Sequence, residues 1–472
     1  LAELDARFGA SADYYAKEIT IYHCRGSILL FDGMASLDSL WELLLDAASR
    51  QAPPQQAGQR CTGPQVFELI LHGSAFPAES EPVTDLADLI KRMTAGMAVL
   101  LLDGCAKGIA FSVQGLKFRS VDEPSGEGNL RGSREGFADL LRVNLSLLRR
   151  LIRTEHLVQE VAQADTEMQT EYAICYCKNR ADSAMVIRVR KALAAAKPEL
   201  LLDSSYFVPW LLPGKARLFT PVSYTERPAV AAAKICEGKI VVLVNGSPSA
   251  MVLPALFCEN FECLDDYAST AVFSSFLRIL KYVSFYLTVF LPGVFVCLAV
   301  YLPELIPPQL LYKIEAAEKA TPLPLFAEML LVILILEVIR EAGLRMPQSL
   351  GHSVSALIIG DAAIATGLMS TPVIFVASIT AIAVFVTPSL YEPATLLRLG
   401  VVLAAGLAGP VGLAGAFFAV LLSLSGTACL QVPYLAAHPF PQRPMAEDGI
   451  IRRNYRRLSA HDFNIWQKRE GK

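Results

Sequence analysis

Histidine is scarce in this chain, with six residues in 472, and no two stand one helical turn apart. No Ser/His/Asp set and no metal-ligand cluster can be assembled from the pattern, so nothing points to an enzyme or to a cofactor. Phosphate-binding loops are missing too. The glycines of "GEGNLRGSREG" (126–136) follow no apolar strand and precede no G-K-[ST], and they read as linker. The spacing C-x-x-C does not occur among the ten cysteines. Cys175 and Cys177 in "ICYCK" are two apart, which puts them on one face of a strand and reads as buried, reduced thiols. "LAELDARFGA" has neither a basic n-region nor an apolar h-region, so the N-terminal domain is expected to stay on the cytoplasmic side.

Charge is also thin, 18% of residues, and its distribution is uneven. Residues 1–270 have ordinary soluble composition. Apolar runs then dominate to about 430, and a tail with Arg443, Arg452, Arg453, Arg456, Arg457, Lys468 and Arg469 closes the chain. The expectation is an α+β protein: a soluble N-terminal domain followed by an all-α membrane domain.

The soluble half repeats itself. "TAGMAVLLLDGCAKGIAFSV" (94–113) and "CEGKIVVLVNGSPSAMVLPA" (236–255) align without gaps, Gly96 on Gly238 and Asp103–Gly104 on Asn245–Gly246. Asp-Gly and Asn-Gly between apolar runs predict hairpins. "SILLFDGMASLDSLWELLLDAA" (27–48) and "AICYCKNRADSAMVIRVRKALAAA" (173–196) each predict a strand, a turn and an amphipathic helix. The reading is a duplicated mixed α/β domain, each copy a mixed sheet covered by helices. The boundaries are 1–128 for the first subdomain, 129–270 for a linking basic helix and the second, 271–430 for the membrane domain and 431–472 for the tail.

Between the copies, Arg142, Arg149 and Arg153 share one helical face and Leu141, Leu145, Leu148 and Ile152 another. The basic face could meet anionic lipid or an acidic partner, or simply be a solvated charged face.

In the membrane half, four spans are expected. They are 276–302, kinked at Pro292–Gly293, then 325–342 returning, 371–390 outward and 397–426 inward. Both ends then lie in the cytoplasm, and Arg398 is the one charge this scheme places outside. The segment 349–370, rich in Gly, Ser and Ala, reads as re-entrant or interfacial. The second span ends in "EVIREAGLR", where Glu337, Arg340, Glu341 and Arg345 share a stripe. Either they form an interfacial cluster of local ion pairs, or they face a pore or subunit interface together with Asp361.

These motifs, in this order, resemble the A subunit of bacterial spore germinant receptors, the GerA family. "EVIREAGLRMP" (337–347) resembles its E-x-x-R-E-A-G-x-R-x-P signature, and "RGSREGF" (131–137) with "VNLSLLRR" (143–150) its R-G-x-R-E-G-F helix. The match falls on Arg131, Arg134, Glu135, Asn144, Arg149 and Arg150, which become candidate interface residues. "YTERP" (224–228), "NGSPSAMVLPALF" (245–257), "PELIP" (303–307), "TPS" (387–389) and "VPYL" (432–435) complete the series. Two departures mark a divergent member: Asn245 stands where the family usually has Asp, and the stretch from Gly351 to Gly360 is shorter than usual.

The resemblance implies a subunit of the spore inner membrane that works with a multi-span B subunit and a lipoprotein C subunit. It implies a homo-oligomer in contact with lipid, which forms or gates an ion-conducting path, and no nucleic-acid partner. A paralogue encoded with the dipicolinic-acid release proteins shares most of these motifs. A secondary transporter with a cytoplasmic regulatory domain is the rival from another class; it would show inverted repeats in the membrane half, whereas the repeat here is in the soluble half.

Overall fold

The computed structural model describes residues 1–21, 24–36, 40, 62–72, 80–113, 124, 127–129, 131–212, 214, 217–345, 367–435 and 449–452. They form two compact units. One comprises 1–214 and 222–254, the other 215–221 and 255–461. The helical unit therefore begins at Ala255, earlier than the expected boundary at 271.

The α/β unit holds two five-stranded sheets. In the first, α1 (Ala2–Phe8) precedes β1 (Tyr14–Ile21) and β2 (Cys24–Phe31). Then come α2 (Gly63–His72), β3 (Ser80–Val83), α3 (Leu86–Thr94), β4 (Ala98–Leu102) and β5 (Gly108–Phe111). In the second, α4 (Leu141–Leu151) precedes β6 (Leu157–Gln163) and β7 (Glu171–Cys177). Then come α5 (Ser183–Ala195), β8 (Ser223–Thr225), α6 (Pro228–Cys236), β9 (Ile240–Val244) and β10 (Ala250–Leu253). The strand orders correspond: β1-β2-β4-β5-β3 and β6-β7-β9-β10-β8. Every ladder between these strands is antiparallel, not mixed as expected. The reason is topological. β3 and β4 point the same way across a helical connection, but β5 is inserted between them, and β10 likewise separates β8 from β9.

The predicted hairpins are β4–β5 and β9–β10, and Gly104 and Gly246 take the positive φ their turns require, 79° and 92°. All residues of β5, β9 and β10 are buried, which explains why these strands read as continuous apolar runs. Cys175, fully buried in β7, has its thiol pushed up by burial, as an inert core cysteine should.

The helical unit contains α7 (Leu264–Ala268), α8 (Ala271–Tyr301), α9 (Pro308–Glu318), α10 (Leu325–Arg345), α11 (Thr371–Val384) and α12 (Tyr391–Gly426). Among the described residues, two helices are long and apolar enough to cross a membrane. They are Ala271–Tyr301, with mean hydropathy 2.2, and Pro388–Gly426, with 2.0. α11 is apolar but shorter.

Helix directions differ from the expected scheme in two places. Ser370, just before α11, hydrogen-bonds Glu328 in the first turn of α10, and Arg340 near the far end of α10 lies over Phe385, just after α11. α11 therefore runs parallel to α10, where the third span was expected to run the opposite way. The second difference is inside α12, where Gly409 has φ 56° and ψ −135°. Glycine reaches that conformation freely, and the following Pro410 excludes the helical one, so the chain reverses. Before the reversal Ala394 shares a cluster with Phe285, Val401 packs on Gly293, and Gly406 O accepts from the Tyr301 hydroxyl at 2.7 Å. After it Phe417 meets Phe290 at 5.7 Å, and Val420 and Leu424 return to the cluster of Phe285. The expected single fourth span is a helical hairpin, each arm roughly 26 Å long at 1.5 Å per residue.

α8 is one continuous helix through Pro292–Gly293, where a kink was expected. Gly293 also serves close approach, since a Cβ there would stand 2.6 Å from Val401 Cγ1.

Candidate functional site

Two buried arginine–carboxylate centres organise the candidate residues, one in each unit. In the α/β unit, α4 buries its leucine face against β6, β7 and β9, as its periodicity predicted. Arg149 is fully buried, so neither the lipid-facing nor the solvated reading applies to it. Its Nε donates to Asp13 Oδ2 at 2.6 Å, and its Nη2 to Asp13 Oδ1 at 2.9 Å and Ser11 Oγ at 2.9 Å. Nη1 donates to Thr154 O at 3.2 Å, and the guanidinium lies 4.5 Å over the Phe31 ring. Asp13 opens β1 of the first sheet, so this fork joins the two sheets from inside. A buried charge pair is tolerable when it is bidentate and each guanidinium nitrogen has a partner, and here each does.

The neighbouring motif residues also build rather than bind. Asn144, fully buried, clasps Ala138 in both directions: its Oδ1 accepts from Ala138 N at 2.8 Å and its Nδ2 donates to Ala138 O at 2.6 Å. Arg150 pairs with Glu135. Arg131 and Arg134 are exposed, as are Arg142 and Arg153 of the expected basic face.

Arg227 of "YTERP" was not anticipated. It is buried, its Nε donates to Glu127 O at 2.9 Å and its Nη1 to Ser133 O at 2.7 Å, so it gathers the glycine-rich linker. Burial raises the Glu127 carboxyl, opposed by the Thr225 hydroxyl, the Glu226 amide and Arg227. Asn245 Oδ1 accepts from Leu141 N at 3.1 Å and so satisfies a backbone donor in the first turn of α4.

In the helical unit Glu337 finds a partner outside the charged stripe. Glu337 pairs with Arg398, 61 residues away on the first arm of α12, and accepts a further bond from the Tyr391 hydroxyl at 2.5 Å. Arg398 is 2% exposed. The topology expected from charge placed Arg398 outside; it stands beside α10 because α11 runs parallel to α10 and ends near Arg340, where α12 then begins. Arg340 lies over the Tyr391 ring, and its Nη1 has no hydrogen-bond partner among the described residues, nor has Arg398 Nε. Glu341 is exposed. Asp361 and the side chain of Arg345 lie outside the described residues. Tyr391 carried no signal in the sequence, since a tyrosine beginning a span reads equally as an interface anchor.

Glu328 was also missed. It is fully buried in the first turn of α10, and both its oxygens accept from Ser370, the residue that caps α11. A carboxylate there complements the helix N-terminus.

Residues 2–462 match the family described as Bacillus/Clostridium GerA spore germination protein. Spore germination protein KA of Bacillus subtilis (strain 168) is 29% identical over 95% of this chain and 82% of its own length. Spore germination protein B1 of the same organism is 31% identical over 82% and 80%. Stage V sporulation protein AF, also from that organism, is 28% identical over 90% and 86%. A crystal structure of the N-terminal domain of the A subunit of the Bacillus megaterium spore germinant receptor GerK3 is 22% identical. It covers 54% of this chain and 93% of that one with a TM-score of 0.41. The match from residue 2 to residue 462 spans both units and both arginine centres, and the chain belongs to the GerA family of spore germination proteins.

Proposed function

We propose that this chain is the membrane-embedded A subunit of a spore germinant receptor. On this reading it assembles with further copies of itself and with B and C subunits in the spore inner membrane, and gates an ion path. The observation that carries the gating part is the Glu337–Arg398 pair. Its carboxylate lies in the family signature and its arginine on the hairpin arm beside that helix, and Arg398 and the neighbouring Arg340 each keep a donor unused among the described residues. A buried pair with an incomplete shell has little to hold it against rearrangement.

The membrane topology that fits has both ends on the cytoplasmic side. Tyr434, beyond α12, packs on Phe257, which lies ahead of α7 and α8, and this supports entry and exit at one face. The apolar helix α8 and the apolar hairpin of α12 support the membrane location.

The test measures potassium efflux and subunit abundance on the same germinating spores, for wild type, a deletion and Glu337→Gln. Glutamine still accepts hydrogen bonds but removes the charge. Altered efflux at normal abundance is expected. Normal efflux at normal abundance would leave the pair a structural anchor, and a deletion without a germination defect would sink the receptor reading. The likeness to Stage V sporulation protein AF favours a second reading, a paralogue linked to dipicolinic-acid release. A deletion that spares the nutrient response but slows that release would select it.

A further inference from the structure

The joint between α7 and α8 is held by residues from the far end of the chain. α7 stops at Ala268 and α8 starts at Ala271, with Ser269 (φ −102°, ψ 172°) and Thr270 (φ −68°, ψ 146°) extended between them. A helix end leaves carbonyls without partners. Arg452 takes them: its Nη1 donates to Ser269 O at 2.9 Å and also to Asp266 O, and its guanidinium lies 5.3 Å over the Tyr267 ring. The Arg452 backbone is tied in turn to α8, its N donating to Ser275 Oγ at 3.0 Å. Three residues earlier, Gly449 O accepts from Arg278 Nη1 at 2.9 Å. Arg278 Nε donates to Asp266 Oδ2 at 3.0 Å, and Lys281 Nζ stands 3.7 Å from Asp266 Oδ1. Asp266, Ser274, Arg278 and Arg452 are all buried.

The opposite face of these turns is inside out. Val272 is 84% exposed, Phe273 52% and Phe276 61%. The start of α8 therefore turns polar groups inward and apolar ones outward, and within the unit it is held by hydrogen bonds rather than by an apolar core. Such contacts are directional and are lost together when the strand that supplies them leaves.

We propose that residues 449–452 act as a strap that fixes the α7–α8 joint, and that its release is a regulatory step for α8. The regulatory part rests on the reading that this chain gates an ion path. In that state α7 loses the donors at its end and the first turns of α8 are free to reorient.

The test uses the full chain in potassium-loaded lipid vesicles, with Arg452→Ala, Arg452→Lys and Ser275→Ala. Hydrogen exchange is followed by peptide, and potassium leak on the same preparations. Arg452→Ala should speed exchange over 266–275 by about tenfold or more, with α11 unchanged. Arg452→Lys should fall between, and Ser275→Ala should have the smallest effect. Potassium leak should rise in the order of exchange. Unchanged exchange in Arg452→Ala overturns the strap. Faster exchange with the leak of a conducting wild type unchanged overturns its regulatory role. If no version conducts, the gating reading fails and exchange alone decides. Faster exchange reaching 279–290 then upholds control of α8, and an effect confined to 266–275 overturns it.

Discussion

Arg149 and Arg398 are both buried arginines facing one carboxylate, yet they are built differently. Arg149 uses Nε, Nη1 and Nη2, meets Asp13 through two parallel bonds and covers an aromatic ring. Arg398 reaches Glu337 through Nη2 and leaves Nε without a partner among the described residues. In the same shell, Arg340 spends its charge on an aromatic face rather than on an acid. A saturated fork resists change because any movement breaks several bonds at once. A shell with donors to spare can exchange partners at lower cost. The first is the arrangement a static joint between sheets needs; the second is the one the proposed gating role needs.

The largest effect should come from breaking the saturated centre. Asp13→Ala leaves Arg149 charged and unpaired in the interior, and such a loss costs about 3–5 kcal/mol. Chemical unfolding of the α/β unit, followed by circular dichroism, should show that loss. A change under about 1 kcal/mol would mean that the fork contributes no more than an exposed pair.

Arg398→Gln should cost less, about 1.5–3 kcal/mol, the range for a hydrogen bond to a charged group, because Glu337 retains the Tyr391 hydroxyl. Double-mutant cycles at both pairs sharpen the contrast. The coupling of Asp13 with Arg149 should exceed that of Glu337 with Arg398, measured as unfolding for the first and as thermal stability in detergent for the second. Equal couplings would remove the distinction between a static and a movable centre.

How far these centres were legible follows from the distance between their parts. The hairpins were visible because Asp103–Gly104 and Asn245–Gly246 carry their own turn chemistry within a few residues. Asp13 was not, because it lies 136 residues from Arg149 and nothing periodic links them. The partners of Glu337 were sought one turn away, where helical spacing allows them, but the parallel course of α11 brings the start of α12, and with it Arg398, to that end of α10. One signal pointed there, the awkward position of Arg398 in a four-span scheme. The hairpin had its own signal, the Gly-Pro pair at 409–410, which stands in a run of small apolar residues that otherwise reads as one helix. Arg452 was counted only as one basic residue of a tail, since its role depends on carbonyls that no side-chain pattern reveals.

The smallest effect concerns a carboxylate without a cation. Asp203 is half-buried, and burial alone would raise its pKa. That is outweighed by bonds from Ser247 Oγ at 2.5 Å and Ser205 N at 2.8 Å, which hold it below the usual carboxylate range. A lowered folded-state pKa means that the unfolded chain binds the proton more readily. The contribution of Asp203 is therefore complete above the unfolded value and lost as pH falls through the folded one. Asp203→Asn should leave stability near neutral pH almost unchanged, because the amide oxygen can keep the Ser205 N–H while the amide nitrogen donates to the Ser247 hydroxyl, which can turn to accept. Below about pH 4, the range where an unperturbed Asp titrates, its unfolding curve should fall less steeply with acid than that of the wild type. Parallel acid limbs for the two proteins would show that these hydrogen bonds do not favour the ionised form, and that acid sensitivity lies instead with the carboxylates that face arginines.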